Sequence, residues 1–107
     1  MLLHRIYMED VVLPDVLIFE WDEGNSTKSW VKHKVSTKEQ EQAFFDKHKR
    51  AFKDSDHSQK EERFLLFGKT KKGRMLIIAF TIRNEKIRCI SARQMNRKEV
   101  PIYEKAA

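Results

Sequence analysis

The sequence predicts an α+β domain: a small, mainly antiparallel sheet with helices packed on one face, in the order β-α-α-β-β-β-α. Three observations carry this. A short apolar and aromatic segment precedes two stretches of helical character, and both lie ahead of the remaining strands. Three later apolar runs are joined by two short connectors, most simply an antiparallel meander. With 107 residues, three Gly and two Pro, the chain has room for one core and is not loop-dominated. It divides into an acidic N-terminal extension, residues 1–18, and a single domain, residues 19–107.

Each element follows in order. Val16-Leu17-Ile18-Phe19-Glu20-Trp21 reads as the first strand. Asp22 to Ser26 supplies turn and cap residues, and Ser26 to His33 makes a short helix that Val35-Ser36-Thr37 breaks. Ser36 or Thr37 caps a second helix, since Glu39 and Gln40 each stand three residues beyond one of them; that helix runs to about Lys49. Asp54 to Ser58 is a polar break. Arg63 to Phe67, Met75 to Phe80 and Ile87 to Ser91 are the meander strands, turned at Lys69–Gly73 and Arg83–Glu85. Met75 to Phe80 is apolar on both alternating sets and should be the central strand. Alternation along the last strand places Ile87, Cys89, Ser91 and Arg93 on one face, with Arg88, Ile90 and Ala92 on the other. Arg97 to Lys105 closes the chain as a helix that Pro101 shortens or kinks.

The formal net charge is +6, unevenly placed: −5 over residues 1–24, +4 over 25–60 and +7 over 61–107. A basic surface favours polyanions without naming one, and the uncovered side of the sheet is a natural place for an anionic ligand. The single Cys89 excludes an internal disulfide and a thiolate metal cluster. No apolar stretch is long enough for a membrane span and the start lacks a signal-peptide pattern, so a cytoplasmic protein with no membrane partner is expected. His4, His33, His48 and His57 include no i, i+4 pair, and three Gly could hardly build a phosphate loop; neither a metal nor a cofactor is expected.

What remains is Arg, Lys and His at element ends. Lys32-His33 closes the first helix, Asp56-His57-Ser58 with Glu61, Glu62 and Arg63 opens the meander, Arg74 enters the central strand, and Ser91-Ala92-Arg93 ends the last one. These residue types suit RNA cleavage without a metal. The 2′-hydroxyl must lose a proton as it attacks phosphorus, the equatorial oxygens gain charge, and the leaving 5′ oxygen needs a proton. A guanidinium fork meets the second demand, and imidazole, with a reference pKa of about 6.5, meets the first or third. Plainer roles compete. Lys32 and His33 could satisfy helix-end carbonyls, Trp21 and Trp30 could edge the core, and Arg93 could pair with Asp22 or Glu20.

Taken in order, Phe19-Glu20-Trp21-Asp22, Lys32-His33 with Val35, Asp56-His57-Ser58 with Glu62-Arg63, Gly73-Arg74, Phe80-Thr81, and Ile87-Arg88 with Ile90-Ser91-Ala92-Arg93 resemble the BrnT toxins. Glu99 and Tyr103 sit where that pattern usually ends, so the resemblance runs from about Phe19 to Tyr103. It implies a RelE-like fold, sequence-relaxed cleavage of an RNA substrate, and neutralisation by a small BrnA-type antitoxin. That partner would carry the DNA-binding segment through which the pair represses its own operator. It also raises the weight on Trp21, Asp22, Lys32, His33, Glu62, Arg63, Arg74, Arg88 and Arg93.

The leading expectation is therefore a metal-independent endoribonuclease toxin that inhibits translation. Arg93 and Arg74 would stabilise the phosphate in the transition state, with Arg88 or Arg63 as helpers. His33 or Glu62 would accept the first proton and Lys32 would hold the backbone; Trp21 and Asp22 join the RNA-binding set. Two positions depart from the family pattern: Asn25 stands where a Lys is usual, and Ser29 where an Asn is usual. They favour an alternative, a non-catalytic relative that binds the antitoxin and represses the operon. A plain RNA-binding domain is the third reading. The extension could be an added edge strand, a docking arm, or sequence ahead of a start at Met8.

Overall fold

In the computed structural model the described residues are 10–55 and 60–105. The motif Asp56-His57-Ser58 lies outside them, as does the first half of the extension, residues 1–9. The elements are α1 (Lys28–His33), α2 (Thr37–Phe44), β1 (Arg50–Lys53), β2 (Phe64–Lys69), β3 (Met75–Arg83), β4 (Lys86–Gln94) and α3 (Val100–Glu104). The four strands form one antiparallel sheet in the order β1-β2-β3-β4. The α+β class and the meander are as the sequence predicts.

The strands differ at both ends of the expectation. Residues 16–21 make a single parallel bridge, Phe19 to Ile87, rather than a strand. The fourth strand is instead β1, which begins just beyond the expected end of the second helix at Lys49, in a stretch that the sequence reading assigns to no element. That helix stops at Phe44 because Asp46 turns the chain, accepting from the His48 amide (3.0 Å) and, across the fold, from the Lys69 amide (2.8 Å). Its start is the reciprocal cap predicted from spacing: Glu39 N–H donates to Ser36 Oγ (3.1 Å) and Ser36 N–H to Glu39 Oε1 (3.0 Å).

Two apolar clusters flank the sheet because neighbouring strand residues point to opposite faces. Leu66, Leu76, Ile78, Phe80, Ile87 and Cys89 pack with Val35, Ala43 and Phe44 from the α1–α2 side. Phe44 sits edge-on to Phe19 (5.2 Å) and Phe80 (5.0 Å). Gly68 lets α2 come this close, since a Cβ there would stand 2.5 Å from the Ala43 carbonyl oxygen. On the other face Phe52, Phe67 and Ile77 pack with Tyr103 and Ile102. The single helical layer expected from the sequence thus holds for α1 and α2, while α3 covers part of the opposite face. Central β3 is apolar on both alternating sets for that reason.

A β-bulge corrects the expected facing of the last strand. Ala79 pairs with Ser91 but Phe80 pairs with Cys89, leaving Ile90 as the extra residue. Beyond the bulge the alternation inverts. Ala92 joins Ile87 and Cys89 under the helices, whereas Arg93 stands opposite Ile77 and Arg88 opposite Thr81, on the α3 side. The outer edge of β4 is occupied by the chain's own residues 18–29. Ile87 N–H donates to the Ile18 carbonyl (2.7 Å), Glu20 N–H to the Ile87 carbonyl (2.8 Å), Asn25 Nδ2 to the Cys89 carbonyl (2.9 Å), and Ala92 N–H to Ser29 Oγ (2.8 Å).

Candidate functional site

Helix α1 ends in Lys32 and His33, both exposed, which stabilise the negative end of its dipole. The chain then passes through Lys34 at φ 55°, a left-handed conformation that costs a non-glycine residue about 1 kcal/mol. Arg74 holds this turn. Its Nη1 donates to the Lys34 carbonyl (2.7 Å) and to both Glu39 oxygens (3.2 and 3.1 Å), and its Nη2 to the His33 carbonyl (3.0 Å). Burial pushes the Glu39 carboxyl up, but the Ser36 amide and the Arg74 guanidinium outweigh it and hold the group below its ordinary value.

Facing this helix end is a cleft of about 280 Å³ lined by Lys28, Ser29, Lys32, His33, Ser91, Ala92 and Arg93. The Arg93 fork is set by Glu99: Nη1 donates to Oε1 (2.7 Å) and Nη2 to Oε2 (2.8 Å), and Nη1 also reaches the Gln94 carbonyl (3.1 Å). Three of the five guanidinium N–H donors are so used, leaving the Nε–Nη2 edge. Glu99 is itself fixed by Asn96, whose N–H donates to Glu99 Oε1 (2.8 Å) while Asn96 Oδ1 accepts from the Glu99 N–H (3.0 Å). Burial raises the Glu99 carboxyl, and the Arg93 fork and the Asn96 amide bring it below its usual value.

The structure brings Lys32, His33 and Arg93 together, with Arg74 directly behind. Arg74 and Arg93 flank Gln94, the former through a long contact to its side chain (3.5 Å), the latter through its carbonyl. Arg74, expected to meet the phosphate itself, is instead engaged by backbone carbonyls and Glu39. The other candidates lie elsewhere. Arg88 is roughly 15 Å along β4 from Arg93 at the usual strand rise. It is clasped by Asp22 (2.7 and 2.9 Å) and Glu20 (3.3 Å). That pairing holds the Asp22 carboxyl below its ordinary range, aided by the Gly24 amide. Trp21 donates from Nε1 to Glu41 Oε2 (2.7 Å) at the core edge. Glu62 is exposed on Lys53 (3.1 Å), away from the cleft, and half-buried Arg63 precedes β2.

Asn25 and Ser29, the two departures from the family pattern, are buried and structural. Asn25 Oδ1 accepts from the Asp22 N–H (2.8 Å), while its Nδ2 reaches the Glu20 and Cys89 carbonyls. Ser29 accepts the Ala92 N–H in the wall of the cleft, and Asn25 stands outside the cleft lining. Sequence reading missed Glu99 as the partner of Arg93, having looked to Asp22 and Glu20; the Asn96-x-x-Glu99 cap spacing was the available signal. Among the described residues no three His, Cys, Asp or Glu side chains cluster as a metal site, and no helix is long and apolar enough to cross a membrane.

Among curated proteins, none matches the chain. A family model does, over residues 21–99, and its span takes in the helix end, the cleft, the arginines and Glu99. The chain therefore belongs to the BrnT family, the ribonuclease toxins of type II toxin–antitoxin systems.

Proposed function

We propose that this chain is an endoribonuclease toxin that cleaves RNA without a metal, and that the cleft between α1 and β4 is its active site. The observation that carries the reading is the convergence of Lys32, His33 and Arg93 on one cleft, with Arg74 pinning the backbone beneath them. His33 accepts the proton of the 2′-hydroxyl as that oxygen bonds to the adjacent phosphorus. The bond to the 5′ oxygen breaks, the leaving oxygen takes up a proton, and the products are a 2′,3′-cyclic phosphate and a 5′-hydroxyl end. Arg93 offers its Nε–Nη2 edge to the equatorial oxygens and Lys32 neutralises the backbone. Arg74 acts through the His33 and Lys34 carbonyls. Translation stops as messages are cut in the cytoplasm, and a small BrnA-type antitoxin covers the cleft and supplies the contact with operator DNA.

The test is cleavage of total RNA by the purified protein with and without chelator, followed by analysis of the new ends. Chelator-resistant cleavage giving cyclic phosphate ends, and lost in folded Arg93→Ala and His33→Ala variants, is the expected result. A strict requirement for added divalent metal would overturn the chemistry. The clasping of Arg74 and Arg93 by Glu39 and Glu99 favours a second reading, a non-catalytic module that grips the antitoxin and represses the operon. Growth distinguishes them: induction of the toxin alone arrests cells only under the first.

A further inference from the structure

We infer that a second cleft, beside the β2–β3 hairpin, is a subsite for single-stranded RNA flanking the scissile linkage; this rests on the ribonuclease reading. The cleft holds about 550 Å³ and is lined by Lys38, Phe45, Lys69 and Lys71, with Glu41 and Asp46 among its walls. Its anions are turned inward. Glu41 takes the Trp21 Nε1–H, and Asp46 takes the Tyr103 hydroxyl and the His48 and Lys69 amides. Its cations are held less tightly, Lys69 Nζ lying 5.8 Å from the centre of the Tyr103 ring. Among the described residues Lys38, Lys69 and Lys71 make no ion pair, whereas Arg50, Arg74, Arg83, Arg88 and Arg93 are each held by a carboxylate.

Beside those lysines stands Phe45, 64% exposed although its neighbour Phe44 is fully buried. An aromatic ring in solvent flanked by exposed ammonium groups is the combination that holds single strands without reading sequence: the ring stacks any base and the cations follow the phosphates. An acidic protein segment could use the same cations, but the open ring favours a nucleobase.

The two clefts are neighbours. Lys38 is five residues from His33, so their Cα atoms are at most about 18 Å apart. Arg74, at the end of the hairpin that carries Lys69 and Lys71, is bonded into the end of α1 and makes the junction one unit. On this inference one strand of RNA lies across both.

The probe is an unstructured 2′-O-methyl RNA of about a dozen nucleotides, long enough for both clefts and lacking the nucleophilic hydroxyl. Its affinity for the full chain is measured by fluorescence anisotropy over a range of salt. Phe45→Ala should weaken binding roughly tenfold or more, and Phe45→Trp should restore it. The combined Lys38→Gln, Lys69→Gln, Lys71→Gln variant should lower the slope of log affinity against log salt by about 2. Unchanged affinity and slope in these variants, while the unaltered protein cleaves natural RNA, would overturn the subsite and leave the ribonuclease reading standing. If the unaltered protein neither binds nor cleaves RNA, both fall. Variants that retain RNA affinity but no longer bind the antitoxin would also overturn the inference and make this a protein-docking surface.

Discussion

Replacing Arg74 with Ala separates a direct phosphate contact from a positioning role. The side chain makes two bonds to the exposed carbonyls that close α1 and an ion pair with Glu39 in which both partners are about a quarter exposed. Water can replace part of each, so the carbonyl bonds contribute about 0.5–1 kcal/mol apiece and the partly screened pair less than about 1 kcal/mol. The left-handed Lys34 loses its clamp as well. The sum is about 2 kcal/mol, which for a domain of this size lowers the melting temperature by roughly 8 °C. Freed of the clamp, Lys32 and His33 shift, and a displacement of about 1 Å at a reacting centre costs on the order of 100-fold in rate. The assay is a circular dichroism melt paired with RNA cleavage well below both midpoints. A variant that melts within about 1 °C of the parent yet loses cleavage refutes the positioning argument and returns Arg74 to the phosphate.

Asn25→Ala leaves the Glu20 and Cys89 carbonyls and the Asp22 amide without their partner, and should destabilise the fold by about 2–3 kcal/mol in urea titration. Burial opposes ionisation of Asp46, but the Tyr103 hydroxyl and the His48 and Lys69 amides hold its carboxyl below the ordinary range. Its contribution is therefore present above the unfolded-state value and lost as pH falls through the depressed folded value, so Asp46→Asn should flatten the acid limb of a stability–pH profile. Tyr103 is shifted up by burial and by Asp46, so its contribution is fully present below the unfolded-state value and is lost as pH rises from there through the raised folded value; Tyr103→Phe should remove that limb. Burial likewise pushes the Cys89 thiol up, and a disulfide reagent should label it only at the rate of unfolding.

Much of the fold was legible because it rests on short-range signals: the Ser36–Glu39 cap, the turns at Gly73 and Asn84-Glu85, and the two-sided apolar pattern of β3. What was not legible depends on pairing across the chain. Arg50 to Lys53 has too few residues to show a strand period, and it is pairing with β2, together with the Asp10 bridge to Phe52, that makes it one. A bulge leaves no mark in composition, yet the one at Ile90 decides which way Arg93 points. In the candidate site, Lys32, His33 and Arg93 were named from residue type and position, and the cleft brings them together. Their neighbours were not: the partners of Arg74 and Arg93, and the buried work of Asn25 and Ser29, are long-range contacts that spacing alone does not encode.

The sealing of β4 by residues 18–29 governs how other molecules can approach. A protein that recognises its target by lending it an extra strand finds no vacant ladder on that border, because its rungs are already taken by Ile18, Glu20, Asn25 and Ser29. Inhibitors aimed at this side must read side chains rather than main chain. The same closure removes this border as a place where two copies of the chain could pair strand to strand.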